Sequence, residues 1–188
     1  MERSFEAVLV EQCATTLAGV KPASLFRYQG ADQRQSREAA ARWAKELAPY
    51  GITVRILKVC PQTGACLIYL YRAGWLRSIL SEPSTRAFLA GQGYGADQSC
   101  QELLRQLSRR LCLEREFPHE IGVFLGYPLE DVVGFIRNRG RNYTCCGYWK
   151  AYGDPEAARR RFDRYRRCTA VWKERFRRGA AITQLIAA

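Results

Sequence analysis

The sequence predicts an α+β fold: a small mixed sheet of three or four strands packed against a larger set of helices, with a long C-terminal helix. Three observations carry that expectation. Apolar residues recur at helical spacing from Phe5 to Leu17, and two β-rich runs at 52–59 and 66–71 flank the turn-forming Pro61-Gln62-Thr63-Gly64. Beyond residue 72 the helical period takes over. At 188 residues and 47% apolar composition, the chain has material for one domain, with a sheet-forming part at about 1–72 and a helical part at about 73–188.

Taken in order, residues 5, 8, 9, 13, 14 and 17 form one apolar stripe, and Gly19 suits a helix stop. Ala23 to Tyr28 reads as a short strand. Ser36 is placed to cap a helix running to about Ala48, with Ala40, Trp43, Ala44 and Leu47 on its buried face, before Pro49-Tyr50-Gly51 ends it. Ile52–Val59 and Cys66–Tyr71 then make a hairpin, and the strand-helix-strand part predicts a right-handed crossover. Helices follow near 74–80, 84–91 and 97–113, the last capped by Asp97. Gly91-Gln92-Gly93-Tyr94-Gly95 follows a helix and lacks G-x-G-x-x-G spacing, so it reads as a turn, not a phosphate loop. Two short helices joined by Gly126-Tyr127-Pro128, a loop leading into a short strand, and a helix from Asp154-Pro155-Glu156 to about Arg178 complete the chain.

Charge is unevenly placed. Of the formal +12, residues 137–178 hold 14 basic against 4 acidic side chains, whereas residues 1–136 hold 16 against 14. A field of that sign attracts phosphates, anionic cofactors, acidic proteins or lipid headgroups without choosing among them. Arg outnumbers Lys by 25 to 5 along the whole chain, which weakens any argument from arginine alone. The acidic, broken start Met1 to Glu6 does not resemble a secretory signal and no apolar run reaches spanning length, so a cytoplasmic protein is expected. Eight cysteines are present and none forms a C-x-x-C pair, which predicts free thiols and argues against a zinc finger or ribbon.

The candidate chemistry lies between Phe117 and Tyr152. His119, the one histidine, is a candidate general base, metal ligand or axial haem ligand; with Glu120 it also suits a plain helix cap. Cys145 and Cys146 sit in a Gly-flanked, aromatic and basic loop where Arg141 and Lys150 would favour thiolates. They are candidates to hold iron, with Cys13 and Cys168 as the further thiols a site would need, or to act as nucleophile beside His119. Tyr148 and Trp149 offer flat faces to a cofactor, or serve as core, and Lys150, next after Trp149, would point to the opposite face and could meet an anion. On the long helix, Ala158, Phe162, Tyr165, Thr169, Trp172 and Phe176 form a packing stripe. Arg160, Arg164, Arg167 and Arg178 fall on another face, available to phosphate or simply solvated. Cys60-Pro61 resembles the short haem-sensing motif, but at a strand end followed by a turn it needs no such explanation.

Three ordered motifs add a family resemblance. Cys13-Ala14-x-Thr16-Leu17-Ala18-Gly19-x-Lys21, the HEIGVFLGYPLEDVVGFI block at 119–136 and CGYWKAY at 146–152 together resemble the bacterial domain-of-unknown-function family 3793 over nearly the whole chain. The resemblance implies a cytosolic bacterial protein and no particular activity. The company its genes keep implies redox or iron work, with a flavodoxin-like partner. Three functions follow as expectations: a binding or redox protein whose pocket holds a metal, haem or another anionic cofactor; a non-specific nucleic-acid binder working through the basic helix; and a Cys-His thiol enzyme. A helix-turn-helix reader is disfavoured because Leu129-Glu130-Asp131 opens the second short helix with two carboxylates.

Overall fold

The computed structural model describes residues 3–114 and 116–187, which fall into two compact units. The first comprises residues up to Gly74 together with those from Arg167 onward; the second runs from Trp75 to Arg166. The fold is α+β, as the periodicities predict.

In the first unit, α1 (Phe5–Leu17) begins where the Ser4 side chain accepts from the Ala7 amide, and it ends before Gly19 at φ 67°. Strand β1 (Ala23–Tyr28) leads to α2 (Gln33–Leu47), a 3-10 turn (Ala48–Tyr50) and Gly51 at φ 69°, a left-handed position that glycine takes without steric cost. Strands β2 (Ile52–Val59) and β3 (Cys66–Arg72) form the expected hairpin. The sheet order is β1-β3-β2, with both ladders antiparallel. β1 and β2 therefore run in the same direction, as a strand-helix-strand crossover requires, yet β3 lies between them and no parallel ladder forms. The core gathers Leu9, Cys13 and Leu17 of α1, Phe26, Ile68 and Leu70 of the sheet, Leu47 of α2, and Trp172, Ile182 and Leu185 from the C-terminal part.

The second unit holds α3 from Trp75 on (Ala73–Ser81), α4 (Pro83–Gly91), α5 (Cys100–Leu113), α6 (Ile121–Phe124) and α7 (Leu129–Arg137). A two-stranded hairpin follows, β4 (Cys145–Cys146) against β5 (Lys150–Ala151). Helix α8 (Pro155–Arg177) begins in this unit and continues into the first, where α9 (Ile182–Ala187) ends the described chain.

Several local expectations shift. The cap of α2 is Asp32, whose carboxylate accepts from the Gln35 amide at 2.7 Å. Ser36 lies one turn inside, where its hydroxyl accepts from the Gly30 amide and donates to the Asp32 carbonyl. Ser99, not Asp97, caps α5, in a box with Glu102 that satisfies both end groups reciprocally. Cys145 and Cys146 form a strand, where a loop was expected.

Candidate functional site

The two motif blocks of the second unit are each other's partners. Asp131, near the start of α7, is 4% exposed; its Oδ2 accepts from Trp149 Nε1 at 2.7 Å, and Oδ1 accepts from the amides of Tyr152 at 2.6 Å and Gly153 at 3.1 Å. Charge-assisted bonds of this kind are the strong ones, and burial removes the competition of water. The carboxylate thus clamps the β5 end to α7. Trp149 stacks on Tyr127 with centroids 4.7 Å apart and meets Phe162 edge-on at 4.6 Å. Two glycines permit the close approach: a Cβ on Gly147 would run into the Phe162 ring, and one on Gly134 into the Tyr152 side chain.

With Trp149 committed to the core, Tyr148 is left outside. It is 41% exposed, 5.9 Å from Phe162 and 5.3 Å from Tyr165 in an edge-on pair. The pair of aromatics named from sequence is therefore divided, one ring structural and one presented. Beside Tyr148 a surface cleft of about 570 Å³ is lined by Cys145, Cys146, Gly147, Tyr148, Arg159, Phe162 and Arg166. That volume lies within the roughly 300–1,000 Å³ of small-molecule and cofactor sites.

The arginines of the cleft differ from those singled out by sequence. Arg159, Phe162 and Arg166 stand at i, i+3 and i+7, one stripe of α8. Phe162 reads as core by its apolar character, which hides the two cations that flank it. Arg160 instead pairs with Asp154 at 3.9 Å and Glu156 at 3.7 Å. Arg164 is exposed and Arg167 belongs to the other unit's stretch of the helix. Arg166 pairs with Asp163, and Arg178 with Glu174 at 2.8 Å, so carboxylates on the helix offset part of its charge.

Lys150 and Arg141 also stand apart from the cleft lining. Lys150 Nζ donates to the Gly140 carbonyl at 2.8 Å and lies 5.0 Å from the Tyr143 ring centre, closing the loop before the hairpin. Arg141 is exposed on that loop. His119 is exposed, and its ring contacts Phe135 at 4.8 Å and Phe117 at 6.0 Å. Among the described residues no hydrogen bond joins it to Cys145 or Cys146. Its neighbour Glu120 is buried, accepting from Tyr94 Oη at 2.9 Å and Arg110 Nη1 at 2.7 Å. Sequence reasoning overlooked this network, whose Tyr94 phenol is pushed above its ordinary range by burial and by the Glu120 charge.

Of the four thiols named from sequence, Cys13 and Cys168 belong to the first unit and Cys145 and Cys146 to the second. Among the described residues no three His, Cys, Asp or Glu side chains gather as a metal site. Cys13 is fully buried, and burial pushes its thiol up to about 12 against the pull of Lys21 and Ser24, which disfavours the thiolate a metal needs. Cys168, half-buried in the same unit, donates weakly to the Ala14 carbonyl at 3.8 Å. Cys145 and Cys146 are adjacent in a strand, so their side chains alternate between its faces. The ladder sets Cys145 opposite Ala151 and Cys146 opposite Lys150, and one thiol at a time can face a given ion.

The first motif has its own structural account. Arg72 of β3 donates from Nε to the Thr16 carbonyl at 2.8 Å and from Nη2 to the Leu17 carbonyl at 2.6 Å, satisfying the open end of α1. Thr16 and Ser24 share a buried hydroxyl bond of 2.8 Å.

All three motifs are now placed, and the family model described as "Protein of unknown function (DUF3793)" matches residues 9–186. The chain belongs to this family. No significant match was found among curated proteins or among solved structures. Among the described residues of this DUF3793 protein, no helix is long and apolar enough to cross a membrane.

Proposed function

We propose that this DUF3793 protein is a cytoplasmic binding protein for a flat anionic cofactor, with haem as the leading ligand, held in the cleft between the β4–β5 hairpin and the first half of α8. One observation carries the reading: the cleft gathers thiols, an exposed ring and two guanidiniums in one place. Haem asks a protein for an axial ligand, apolar walls and cations at its carboxylates. A thiolate of Cys145 or Cys146 supplies the first, Tyr148 and Phe162 the second, and Arg159 and Arg166 the third. The alternation of the two thiols, which works against a bare iron site, is no obstacle here because haem needs one axial thiolate from the protein. When bound, the group would supply one-electron chemistry, while the protein's residues bind and orient it. The basic residues of α8 would also suit an acidic, flavodoxin-like redox partner.

The test is to purify the protein anaerobically, record its visible spectrum, measure bound metal, and then add haem. The expected outcome is a thiolate-type absorption band on addition, lost in either Cys145→Ser or Cys146→Ser. A colourless, metal-free protein whose spectrum of added haem matches that of free haem would overturn the proposal.

A further inference from the structure

A second array in the 75–166 unit has no part in the cleft. Phe117 is 50% exposed, with its ring 6.0 Å from that of exposed His119, which in turn lies 4.8 Å from Phe135. Lys150 Nζ sits 6.0 Å from the Phe135 centre and 5.0 Å from that of Tyr143, which is 45% exposed. Four rings and an ammonium group thus form one connected surface chain. The end of α7 and the turn after it carry Arg137, Arg139 and Arg141, all exposed. Among the described residues no carboxylate pairs with any of the three, and no acidic residue occurs between Asp131 and Asp154.

The turn is held in shape. Arg139 and Asn142 have φ of 51° and 58°, and Gly140 has φ 71°. Left-handed conformations cost a non-glycine residue roughly 1 kcal/mol or more, and they persist where neighbours over-determine them. Here the Gly140 amide donates to the Phe135 carbonyl at 2.9 Å, Lys150 holds the Gly140 carbonyl, and Asn138 Nδ2 donates to the Gly134 carbonyl at 2.8 Å. A Cβ on Gly140 would lie 3.1 Å from Phe135 Cε2, so the arginines on either side of Gly140 spring from the edge of the ring array.

We propose that this surface binds single-stranded nucleic acid, with bases stacking on Phe117, His119 and Tyr143 and phosphates held by Arg137, Arg139 and Arg141. Rings standing clear of the surface beside a positive turn match the way unpaired strands are held, by stacking that any base can make and by charge along the backbone. A duplex hides its base faces and gains nothing from the rings. The surface is separate from the cysteine cleft, and so the two proposals stand or fall independently.

The test is fluorescence anisotropy of a labelled oligothymidylate with the full chain, across a salt series. Three phosphate contacts predict a log-log salt slope of about −2. Tyr143→Ala and His119→Ala should each weaken binding about tenfold, while His119→Phe, which keeps a ring, should bind as the parent does. Replacing Arg137, Arg139 and Arg141 by Ser should weaken binding and flatten the slope. These exposed arginines keep the test decisive if a ring replacement lowers stability. Replacing Arg160, Arg164 and Arg167 by Ser should change affinity less than twofold. Overturning results are no binding, tighter binding to a duplex, loss through the α8 replacements instead, or binding to anionic lipid vesicles with the same dependence on the rings.

Discussion

A single buried carboxylate organises the stretch from Phe117 to Tyr152. Asp131 accepts from one buried indole and two part-buried backbone amides, and its own carboxylate is packed beside Trp149. Asp131→Ala would leave the buried indole N–H without an acceptor and the two part-buried amides to water, and an unmet buried donor costs about 1–3 kcal/mol. The expected loss in urea denaturation is therefore about 2–3 kcal/mol, with Asp131→Asn milder because an oxygen remains. In sequence this residue reads as one of two carboxylates opening a short helix, since nothing in 129–131 reveals a partner some twenty positions away. Lys21 makes a second prediction. Burial pulls its ammonium down to about 8 from the usual 10.5, and the Cys13 thiol opposes that shift. Between those two values the unfolded chain binds more protons than the folded one, so this contribution to stability rises with pH. Cys13 works the other way between 9 and about 12. Subtracting the stability of Lys21→Met from that of the parent isolates the lysine: the difference should climb from pH 8 to 10.5, and a flat difference would contradict it.

Among the elements, the long periodic segments were legible and the shortest were not. Phe5–Leu17, Ala23–Tyr28 and Ile52–Val59 have the bounds their spacing predicts, because each is long enough for a period of 3.6 or 2 to repeat. β4 and β5 have two residues each, too few to show any alternation, and what makes them a hairpin is the contact of Trp149 and Gly147 with α7 and α8. Caps are ambiguous in sequence where two candidates lie close together, as with Asp32 against Ser36 and Ser99 against Asp97. The cap of α5 is testable: Ser99→Ala should cost about 1 kcal/mol in thermal or chemical unfolding, and Asp97→Ala close to nothing. Gly147→Ala is the sharper probe of the hairpin. Its methyl group would force the strand turn off the Phe162 ring, a strain of about 1–3 kcal/mol that should lower the melting temperature and open the cleft.

Over the whole molecule, charge gives the strongest hint of function and its location was only partly legible. The excess over 137–178 is plain in the sequence, but its distribution depends on where carboxylates fall on α8. Asp154, Glu156, Asp163 and Glu174 offset Arg160, Arg166, Arg177 and Arg178, whereas among the described residues no carboxylate pairs with Arg137, Arg139 or Arg141. Arg159 and Arg166 acquire interest through the cleft they share with Cys145, Cys146 and Tyr148, which helix spacing alone did not single out. Family membership over residues 9–186 leaves activity open, and the proposed haem binding rests on that cleft. The measurement that tests it most directly is an absorbance titration of haem into the parent protein and into the double variant Arg159→Ser, Arg166→Ser. The parent is expected to saturate at one haem per chain, and the variant to bind about tenfold or more weakly, as loss of charge-assisted contacts to the carboxylates requires. Equal affinity in the two proteins, or saturation in neither, would contradict the account.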